Sequence, residues 1–464
     1  MANKTLLTHY YKVSQSQQDY YDPVAVLPGS DQTGITSLYC FLAKDDAWTN
    51  GNDPIQPTQD QKYIKNVYSN IFVIKKVTNN NVKLVLERID WSTGYTYDYY
   101  RDDVDMLLKD DNGFLVRKFY VRNKYNQVFK CLWNNNDSPS TDEPYFQPGS
   151  YGTNNMFRGI DGYKWKYMYT IDGKSLQNFV DSTWITVPIT LIPGESYSGQ
   201  TLDPIETSAG IGSIDAINVV SGGTGYDPAN SLITITITGD GSGAAGTAEV
   251  DANGIITDII VTNPGTNYTY ANVTITSDVG SNATAICPTS PIGGHGYDSP
   301  SELGCSHIMY SVDFNSDENN LIPTDIKYNQ IGLMYNPLSY STYPYFANGD
   351  IYKTTTDIVV TPGFGYFVSE EDVYQGESYE SSFFRAKVLS FNTATNILQL
   401  INIEGTPTIN GPINGNSSGT TRTILQVSNP DLIRHSGYIS YVENRTEIQR
   451  SSDGIEQFKF VIGY

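Results

Sequence analysis

Half of the cysteine and histidine residues lie in one short stretch of the sequence, at Cys287, His295, Cys305 and His307. Thiolate and imidazole are ligands that zinc prefers. The spacing of these four residues matches none of the compact zinc-binding signatures, and the glycines on both sides of His295 are typical of a loop. Hydrogen bonding in a connecting loop is therefore the favoured interpretation, and a metal site is the alternative.

Adjacent aspartates could supply paired carboxylates for calcium binding or for the acid–base chemistry of glycosidases. The pairs are Asp45–Asp46, Asp102–Asp103 and Asp110–Asp111. None of them belongs to the D-x-[DN]-x-[DN]-G calcium pattern. Most such pairs keep loops solvated, and we expect that role here.

Two other segments contain residue types found in enzyme sites. His435 precedes Ser436 directly, but a base and its nucleophile are ordinarily brought together by the fold, and no G-x-S-x-G elbow is expected anywhere in the chain. The glycine-rich segment Ser221–Tyr226 lacks the Lys, the Ser/Thr and the helix pattern that follow a phosphate-binding loop. Its glycines suit the positive φ angles of tight turns between strands. The sequence therefore predicts no catalytic residue, no metal site and no cofactor.

The elements that would position these residues are predicted to be mainly strands. Only 17% of the residues are charged, against about 25% in typical soluble domains, while Gly, Pro and Tyr number 40, 22 and 36. Helical periodicity is confined to Gln59–Tyr68 and, more weakly, to the N-terminus, with about two turns in each. Short segments rich in β-branched and aromatic residues predict strands at Ile71–Val77, Val82–Leu86, Gln127–Leu132, Trp165–Ile171 and Trp184–Pro188.

An internal repeat appears when Ser213–Tyr226 is aligned with Ile255–Tyr268. Each copy continues into an alternating strand, Ile233–Thr238 or Val273–Thr276, so residues 205–289 are predicted to form an inserted β-module of two similar hairpin units. Residues 350–429 are predicted to form a second inserted β-module. Its strands are expected at Phe384–Ser390 and Ile397–Ile403.

The charge balance bears on the partners. Asp and Glu number 50 and Lys and Arg 29, which gives a formal net charge of −21, so binding to nucleic acid or to anionic membranes is not expected. No segment approaches the roughly 18 apolar residues that a membrane span needs, and the N-terminus shows no secretory signal. We therefore expect no membrane insertion, assembly in a cytoplasm, and four free thiols.

The segment DGYKWKYMYTI predicts a turn followed by a strand. Asp161 and Gly162 suit the turn, and Tyr163, Trp165, Tyr167 and Tyr169 then alternate onto one face. Such an aromatic row covers a sheet of its own subunit or meets another chain. Burial within the subunit is the favoured interpretation.

The segment RHSGYISYVENR, which covers Arg434–Arg445, predicts a turn that leads into a strand. Gly437 permits the turn, and the two arginines could pair with Glu443 or with a carboxylate of another chain. The candidate assembly residues of this segment are Arg434, His435, Ser436, Gly437, Tyr441, Glu443, Asn444 and Arg445.

These two segments occur in a fixed order with DAWTNGNDP (46–54), ERIDW (87–91), QVFKCL (127–132) and QIGLMYNPL (330–338). In that order the chain resembles the baseplate wedge subunit, the homodimeric wedge protein, of T-even-type contractile-tailed bacteriophages. The resemblance covers most of residues 1–203, 293–338 and 430–464. The two predicted inserts depart from the smaller T-even pattern.

The resemblance implies a mainly β, sandwich-like subunit of the virion, with one homodimer in each wedge of a six-fold tail baseplate. The core would comprise residues 1–204, 290–349 and 430–464, with few short helices. The expected partners are a second copy and other wedge proteins, and the expected role is structural, without catalysis or a cofactor. Such a subunit would be assembled in the host cytoplasm and would hold its neighbours through sheath contraction.

Two other functions remain as alternatives. A virion-surface glycan-binding adhesin, or accessory receptor-binding tail protein, would need aromatic platforms that face solvent. A polysaccharide depolymerase would need two carboxylates that face each other across a groove. Binding or hydrolysis of glycans by the purified chain would distinguish both from a scaffold.

Overall fold

The structure is a computed structural model that describes residues 8–21, 37–51, 53–147, 155–189, 209–229, 232–316, 318 and 321–464. Among the described residues, strands account for 42% and helices for 9%. The prediction of a mainly β fold with few short helices is therefore confirmed. The boundary predicted between residues 204 and 205 lies outside the described residues.

The helices are short. The second of them matches the helix predicted at Gln59–Tyr68, and the Asp60 carboxylate caps it by accepting a 2.9 Å hydrogen bond from the Tyr63 amide. The first has 13 residues and is longer than the two turns predicted. The described helices are α1 His9–Tyr21, α2 Gln61–Asn70, α3 Gly173–Asn178 and α4 Ser299–Glu302, with a 3-10 turn at Asn79–Asn81.

Each strand predicted from the sequence is present, and its ends agree with the prediction to within about two residues. In chain order they are β1 Leu38–Ala43, β2 Ile71–Lys76, β3 Val82–Glu87, β4 Tyr120–Arg122, β5 Gln127–Trp133, β6 Met156–Arg158, β7 Lys164–Thr170, β8 Trp184–Val187, β9 Asn218–Thr224, β10 Ile233–Gly239, β11 Ser242–Val250, β12 Ile256–Thr266, β13 Ala271–Ser277, β14 Ser281–Ile286, β15 His307–Phe314, β16 Lys327–Tyr335, β17 Ile351–Lys353, β18 Thr356–Val360, β19 Asp372–Gln375, β20 Phe384–Asn392, β21 Ile397–Gly405, β22 Pro412–Gly415, β23 Thr421–Ser428, β24 Tyr438–Gln449 and β25 Glu456–Gly463.

The chain forms two compact units, each built from segments that are distant in sequence. The described residues of 1–19, 83–309 and 461–464 form the first unit, and those of 20–82 and 310–460 form the second. The residues predicted to form one core therefore contribute to both units. The first predicted insert lies in the first unit, and the second predicted insert lies in the second.

The first unit contains a four-stranded antiparallel sheet in the order β4-β5-β7-β6. Residues of β5 and β7 are almost all buried, so both faces of this sheet are covered. A strand covered on both faces carries a continuous run of buried side chains, whereas a strand covered on one face alternates buried and exposed ones. This arrangement places the DGYKWKY segment in the interior of the unit.

The first insert contains the predicted repeat, but its strands pair between the copies. β10 pairs with β13, β11 with β12, and β9 with β14, all antiparallel. Strands β9 to β11 follow from the first copy and β12 to β14 from the second, so each ladder joins one copy to the other. The sequence predicted two separate hairpin units, and the observed pairing differs from that prediction. Glycine-rich turns indicate the local backbone geometry, but they do not determine which two strands pair.

Equivalent residues of the two copies make equivalent contacts. The hydroxyl oxygen of Tyr226 accepts a hydrogen bond from the Ala283 amide at 3.3 Å, and that of Tyr268 accepts one from the Ala244 amide at 3.4 Å. A Cβ on Gly280 would lie 2.2 Å from the Tyr226 ring. The glycines of the repeat therefore make room for its tyrosines as well as permitting turns.

The second unit contains a five-stranded sheet in the order β17-β2-β1-β16-β24. β24 carries most of the RHSGYISYVENR segment and pairs with β16, which carries most of QIGLMYNPL. The register places Tyr335 opposite Tyr438 and Leu333 opposite Tyr441. Two segments separated by about a hundred residues are thus neighbours in one sheet.

The second insert is a closed barrel in the order β18-β21-β20-β19-β22-β23. Its interior is filled by side chains such as Ile358, Val373, Phe384 and Leu398, each fully buried. Closure removes the free edges that would otherwise pair with other chains.

Candidate functional site

Asp161 and Gly162 form the turn predicted at the start of the DGYKWKY segment. The Asp161 carboxylate accepts hydrogen bonds from the Thr141 amide at 2.7 Å and from the Tyr163 amide at 3.1 Å. Gly162 has a φ of +83°, and a Cβ there would lie 2.7 Å from Asn135. Both residues therefore fix the backbone.

The aromatic row of this segment is buried within its own unit. Tyr163 and Trp165 are fully buried and stack with ring centroids 5.5 Å apart, and Tyr167 is 8% exposed. Tyr169 is also buried, but a register shift in the β5–β7 ladder separates it from the cluster that holds the other three. The predicted four-residue row is thus a row of three, because a bulge interrupts the alternation.

The opposite face of β5 and β7 buries lysines that the sequence analysis did not single out. The Lys130 ammonium lies 3.0 Å from the Glu302 carboxylate, 3.2 Å from His295 Nδ1 and 4.0 Å from the centre of the Tyr100 ring. Burial and the neighbouring Lys130 cation lower the pKa of His295. Burial opposes ionisation of Glu302, but Lys130 and His295 outweigh it and lower the pKa of that carboxyl to about 2.

Two further lysines hold the first insert from the same face. Lys166 pairs with Asp215 at 2.9 Å, and Lys164 pairs with Asp258 at 2.5 Å and donates to the carbonyl of Ile217 at 2.6 Å. The alternation of lysine with aromatic residues in DGYKWKY could have indicated a second face of the strand built from lysines. Lysine is normally expected on a solvent-exposed face, so burial of that second face was not predicted. Its partners lie far along the chain.

The structure does not bring together the four cysteine and histidine residues that were considered as an alternative metal site. His295 belongs to the lysine cluster, Cys287 lies in the core of the first insert, and the Cys305 thiol donates to the Val85 carbonyl at 3.2 Å. Burial lowers the pKa of His307 to about 4. Within the described residues no group of three or more His, Cys, Asp or Glu could hold a metal ion. All four cysteines are free, as predicted, and all four are buried.

The aspartate pairs have structural partners in loops and turns. Asp45 accepts from the side-chain amides of Asn66 and Asn70, both at 3.1 Å. Asp102 accepts from the Thr289 amide at 2.9 Å. The Asp110 carboxylate caps the turn that follows it by accepting from backbone amides, and Asp103 pairs with a neighbouring arginine. This geometry favours loop stabilisation over paired acid–base chemistry.

Ser436 and Gly437 form the predicted turn before β24. The Ser436 hydroxyl donates to the Ile433 carbonyl at 2.6 Å and accepts from the Leu338 amide at 2.9 Å. Gly437 has a φ of +73°, and a Cβ there would lie 2.5 Å from the Tyr335 carbonyl oxygen. Ser436 is thus engaged with backbone groups rather than with His435.

His435 lies beside a different serine. Its Nε2 is 3.4 Å from the Ser69 hydroxyl, and burial together with Arg434 and Lys65 lowers its pKa. Arg434 donates to the Ile403 carbonyl at 2.7 Å. The predicted partner was Glu443 or a carboxylate of another chain. These residues border a cavity of about 40 Å³, which has room for about one water molecule.

The prediction that the chain contains no G-x-S-x-G elbow overlooked one such sequence, at 415–419. It forms the turn between β22 and β23, and the Ser417 hydroxyl bonds to Glu371 at 3.1 Å. A nucleophile elbow requires a strand-to-helix turn. A turn between two strands does not meet that requirement.

The side chain of Asn444 joins β24 to β16, to α2 and to the loop at Ile55. Its side-chain oxygen accepts from the Tyr63 hydroxyl at 3.0 Å and from the Gln330 amide at 2.9 Å, and its amide donates to the Ile55 carbonyl at 2.8 Å. The Trp48 indole donates to the Arg445 carbonyl at 2.6 Å. The segments at 330–338 and 434–445 therefore meet at Asn444, and the segment at 46–54 contacts the adjoining residue, Arg445.

The charged residues of β24 are paired within the chain. Arg445 contacts Glu443 at 2.8 Å, and the Tyr441 hydroxyl donates to Glu443 at 3.1 Å. The buried Lys44 ammonium lies 2.6 Å from Glu447. The intrachain partner considered for Arg445 is thus the one present. The first two contacts lie within β24, and the Lys44–Glu447 pair joins β24 to the residue that follows β1.

Comparison with protein-family models and with curated protein sequences found no match. Among the described residues, no helix is long and apolar enough to cross a membrane.

Proposed function

We propose that the chain is a structural subunit of the baseplate wedge of a contractile-tailed bacteriophage. In this proposal it forms a homodimer, links neighbouring wedge proteins and holds them through sheath contraction. Its location is the tail baseplate of the virion, after assembly in the host cytoplasm. The ordered resemblance of six segments to the wedge family supports the proposal.

The observation that carries the proposal is the polar network around Asn444. The segments at 330–338 and 434–445, which are remote in sequence, meet there through the 2.9 Å Gln330–Asn444 hydrogen bond, and Trp48 of the 46–54 segment donates to the carbonyl of the next residue, Arg445, at 2.6 Å. The hydrogen bonds of Asn444 join β24 to β16, to α2 and to the loop at Ile55, and this joining of separate elements supports a structural role.

The test is to locate the chain in purified virus particles. An antibody against the chain, followed by electron microscopy, should label the tail end with six-fold symmetry, and quantitative mass spectrometry should find one dimer per wedge. Light scattering of the purified chain should give about twice 51.5 kDa. Absence from washed particles, or label on the capsid alone, would refute the proposal.

The glycan-binding alternative is favoured by one feature of the second unit. Tyr340, Tyr343, Tyr345 and Tyr438 are 60%, 66%, 47% and 56% exposed, and Tyr438 stacks on Tyr335 at 5.3 Å. These rings could serve as the solvent-facing platforms that an adhesin needs. Binding of the purified chain to an oligosaccharide array, lost on Tyr340→Ala and Tyr438→Ala substitution, would shift the assignment to this function.

A further inference from the structure

Several asparagine residues of the chain are followed directly by glycine. In such a pair the backbone nitrogen of the glycine can attack the side-chain amide carbon of the asparagine, because glycine has no side chain to obstruct the approach. The pairs have the same local chemistry, so they differ in how the fold holds each glycine nitrogen. The asparagines are Asn50, Asn112, Asn253, Asn348, Asn410 and Asn414.

Five of the glycine amides donate a hydrogen bond within the chain. An amide that attacks a neighbouring side chain must first leave its acceptor, and breaking such a bond costs about 1 kcal/mol. The fold therefore protects the asparagine that precedes each of these glycines. The donors and acceptors are Gly113 to the Asp110 carbonyl at 3.0 Å, Gly254 to the Asp251 carbonyl at 3.1 Å, Gly349 to the Tyr352 hydroxyl at 2.7 Å, Gly411 to the Thr408 carbonyl at 3.4 Å and Gly415 to the Thr420 carbonyl at 2.8 Å.

The Asn50–Gly51 pair lacks this protection. Among the described residues, no acceptor binds the Gly51 amide and no partner binds the Asn50 side chain, whereas the Asn414 side chain accepts from the Thr421 hydroxyl at 2.8 Å. Both residues of the pair are exposed, and a Cβ on Gly51 would meet nothing within 4 Å. The Asn50 carbonyl accepts from the Asp53 amide at 3.0 Å, which leaves the Gly51 nitrogen and the Asn50 side chain unengaged.

We propose that Asn50 is a site of spontaneous deamidation, which reacts with water faster than the other five asparagines. The Gly51 nitrogen gives up its proton to water and forms a bond to Cγ of Asn50. The bond from Cγ to the side-chain nitrogen breaks, and that nitrogen takes a proton from water and leaves as ammonia. Water then opens the cyclic imide at Cγ to give aspartate, or at the backbone carbonyl to give isoaspartate, and no oxidant or reductant is needed.

The position of Asn50 gives the modification a consequence. It lies between two contacts with β24, since the Trp48 indole donates to the Arg445 carbonyl at 2.6 Å and the Ile55 carbonyl accepts from the Asn444 amide at 2.8 Å. Isoaspartate inserts one additional carbon atom into the backbone between these contacts, and either product adds a negative charge to a chain of net charge −21. The inference does not rest on the proposed function, because it concerns the reaction of this chain with water.

The first experiment incubates the purified full chain at mildly alkaline pH and follows all six asparagines by peptide mapping with mass spectrometry. Deamidated Asn50 should accumulate at least about fivefold faster than any other site, which is the ratio that about 1 kcal/mol gives. In urea the six sites should react at comparable rates, because no fold holds the glycine amides. A rate at Asn50 no higher than at the others in the folded chain, or the same preference for Asn50 in urea, would overturn the proposal.

The second experiment changes the protection at two sites. Gly51→Ala should suppress the reaction at Asn50, because the methyl group hinders the approach, and should keep the melting temperature, because the position is open and is not in the left-handed region. Tyr352→Phe removes the acceptor of the Gly349 amide and should raise the rate at Asn348 about fivefold while the rate at Asn50 stays the same. An undiminished reaction at Asn50 in the first variant, or an unchanged rate at Asn348 in the folded second variant, would refute the assignment.

Discussion

The two faces of the sheet β4-β5-β7-β6 are both buried but are built from opposite chemistry. One face presents the aromatic row that begins at Tyr163. The other buries the side chains of Lys130, Lys164 and Lys166 at 1%, 6% and 5% exposure. An aromatic face is stabilised by burial alone, whereas buried ammonium groups require partners with the right charge and geometry. The two faces should therefore respond differently to substitution and to pH.

The largest effect is expected from Trp165→Ala. This side chain is fully buried in the aromatic cluster, and its removal leaves a large cavity, so the free energy of unfolding should fall by about 4 kcal/mol. Denaturant unfolding of the two proteins measures the difference. Tyr125→Ala, at a position 53% exposed, is the control and should change stability by less than about 1 kcal/mol. A small effect at Trp165 would mean that the row is not a core.

On the lysine face, Lys130→Met should reduce the unfolding free energy by about 3 kcal/mol. The substitution leaves Glu302 buried without its cation, and an unpaired buried charge costs more than the pair contributes. The double variant Lys130→Met, Glu302→Leu should recover part of the loss, because neither charge remains. A double-mutant cycle by urea unfolding measures the coupling. Additive losses would show that the two groups do not act as a pair.

Acid should weaken the lysine face and not the aromatic face. The pKa of Glu302 is about 2 in the folded chain and about 4.3 unfolded, so its stabilising contribution is present above pH 4 and is lost as pH falls towards 2. The pKa of His295 is also lowered, so the unfolded chain binds that proton more readily and stability falls as pH drops below about 6.5. The partners that face these groups are Lys130, Lys166, Asp215 and Tyr100.

Unfolding of wild type, Glu302→Gln and His295→Gln across pH 3–7 tests this dependence. The stability difference from wild type should shrink below about pH 4 for Glu302→Gln and as pH falls below about 6.5 for His295→Gln. Trp165→Ala should shift the whole curve without a change in its pH dependence. Differences that are constant with pH for all three variants would contradict the assignment.

The sequence predicted the strands and the aromatic face well because both depend on local alternation. It did not predict the lysine face, because Lys130, Lys164 and Lys166 are buried only through partners such as Asp215 and Glu302, which lie about 50 to 170 residues away. The network around Asn444 was hidden for the same reason. Pairing between the two copies of the repeat also depends on residues distant in sequence, so it was not predicted. The positions of the strands depend on local alternation and were predicted.

The smallest effects should separate two tyrosines of the same strand region. The Tyr163 hydroxyl donates to the Ser138 carbonyl at 2.6 Å, so Tyr163→Phe should cost about 1 kcal/mol. The Tyr169 hydroxyl is buried and has no hydrogen-bond partner among the described residues, so Tyr169→Phe should be neutral or slightly stabilising, since it removes an unpaired polar group. Paired thermal and urea unfolding resolves the difference. A clear loss at Tyr169 would reveal a partner for that hydroxyl and would place a polar contact on the side of the bulge where the aromatic row is interrupted.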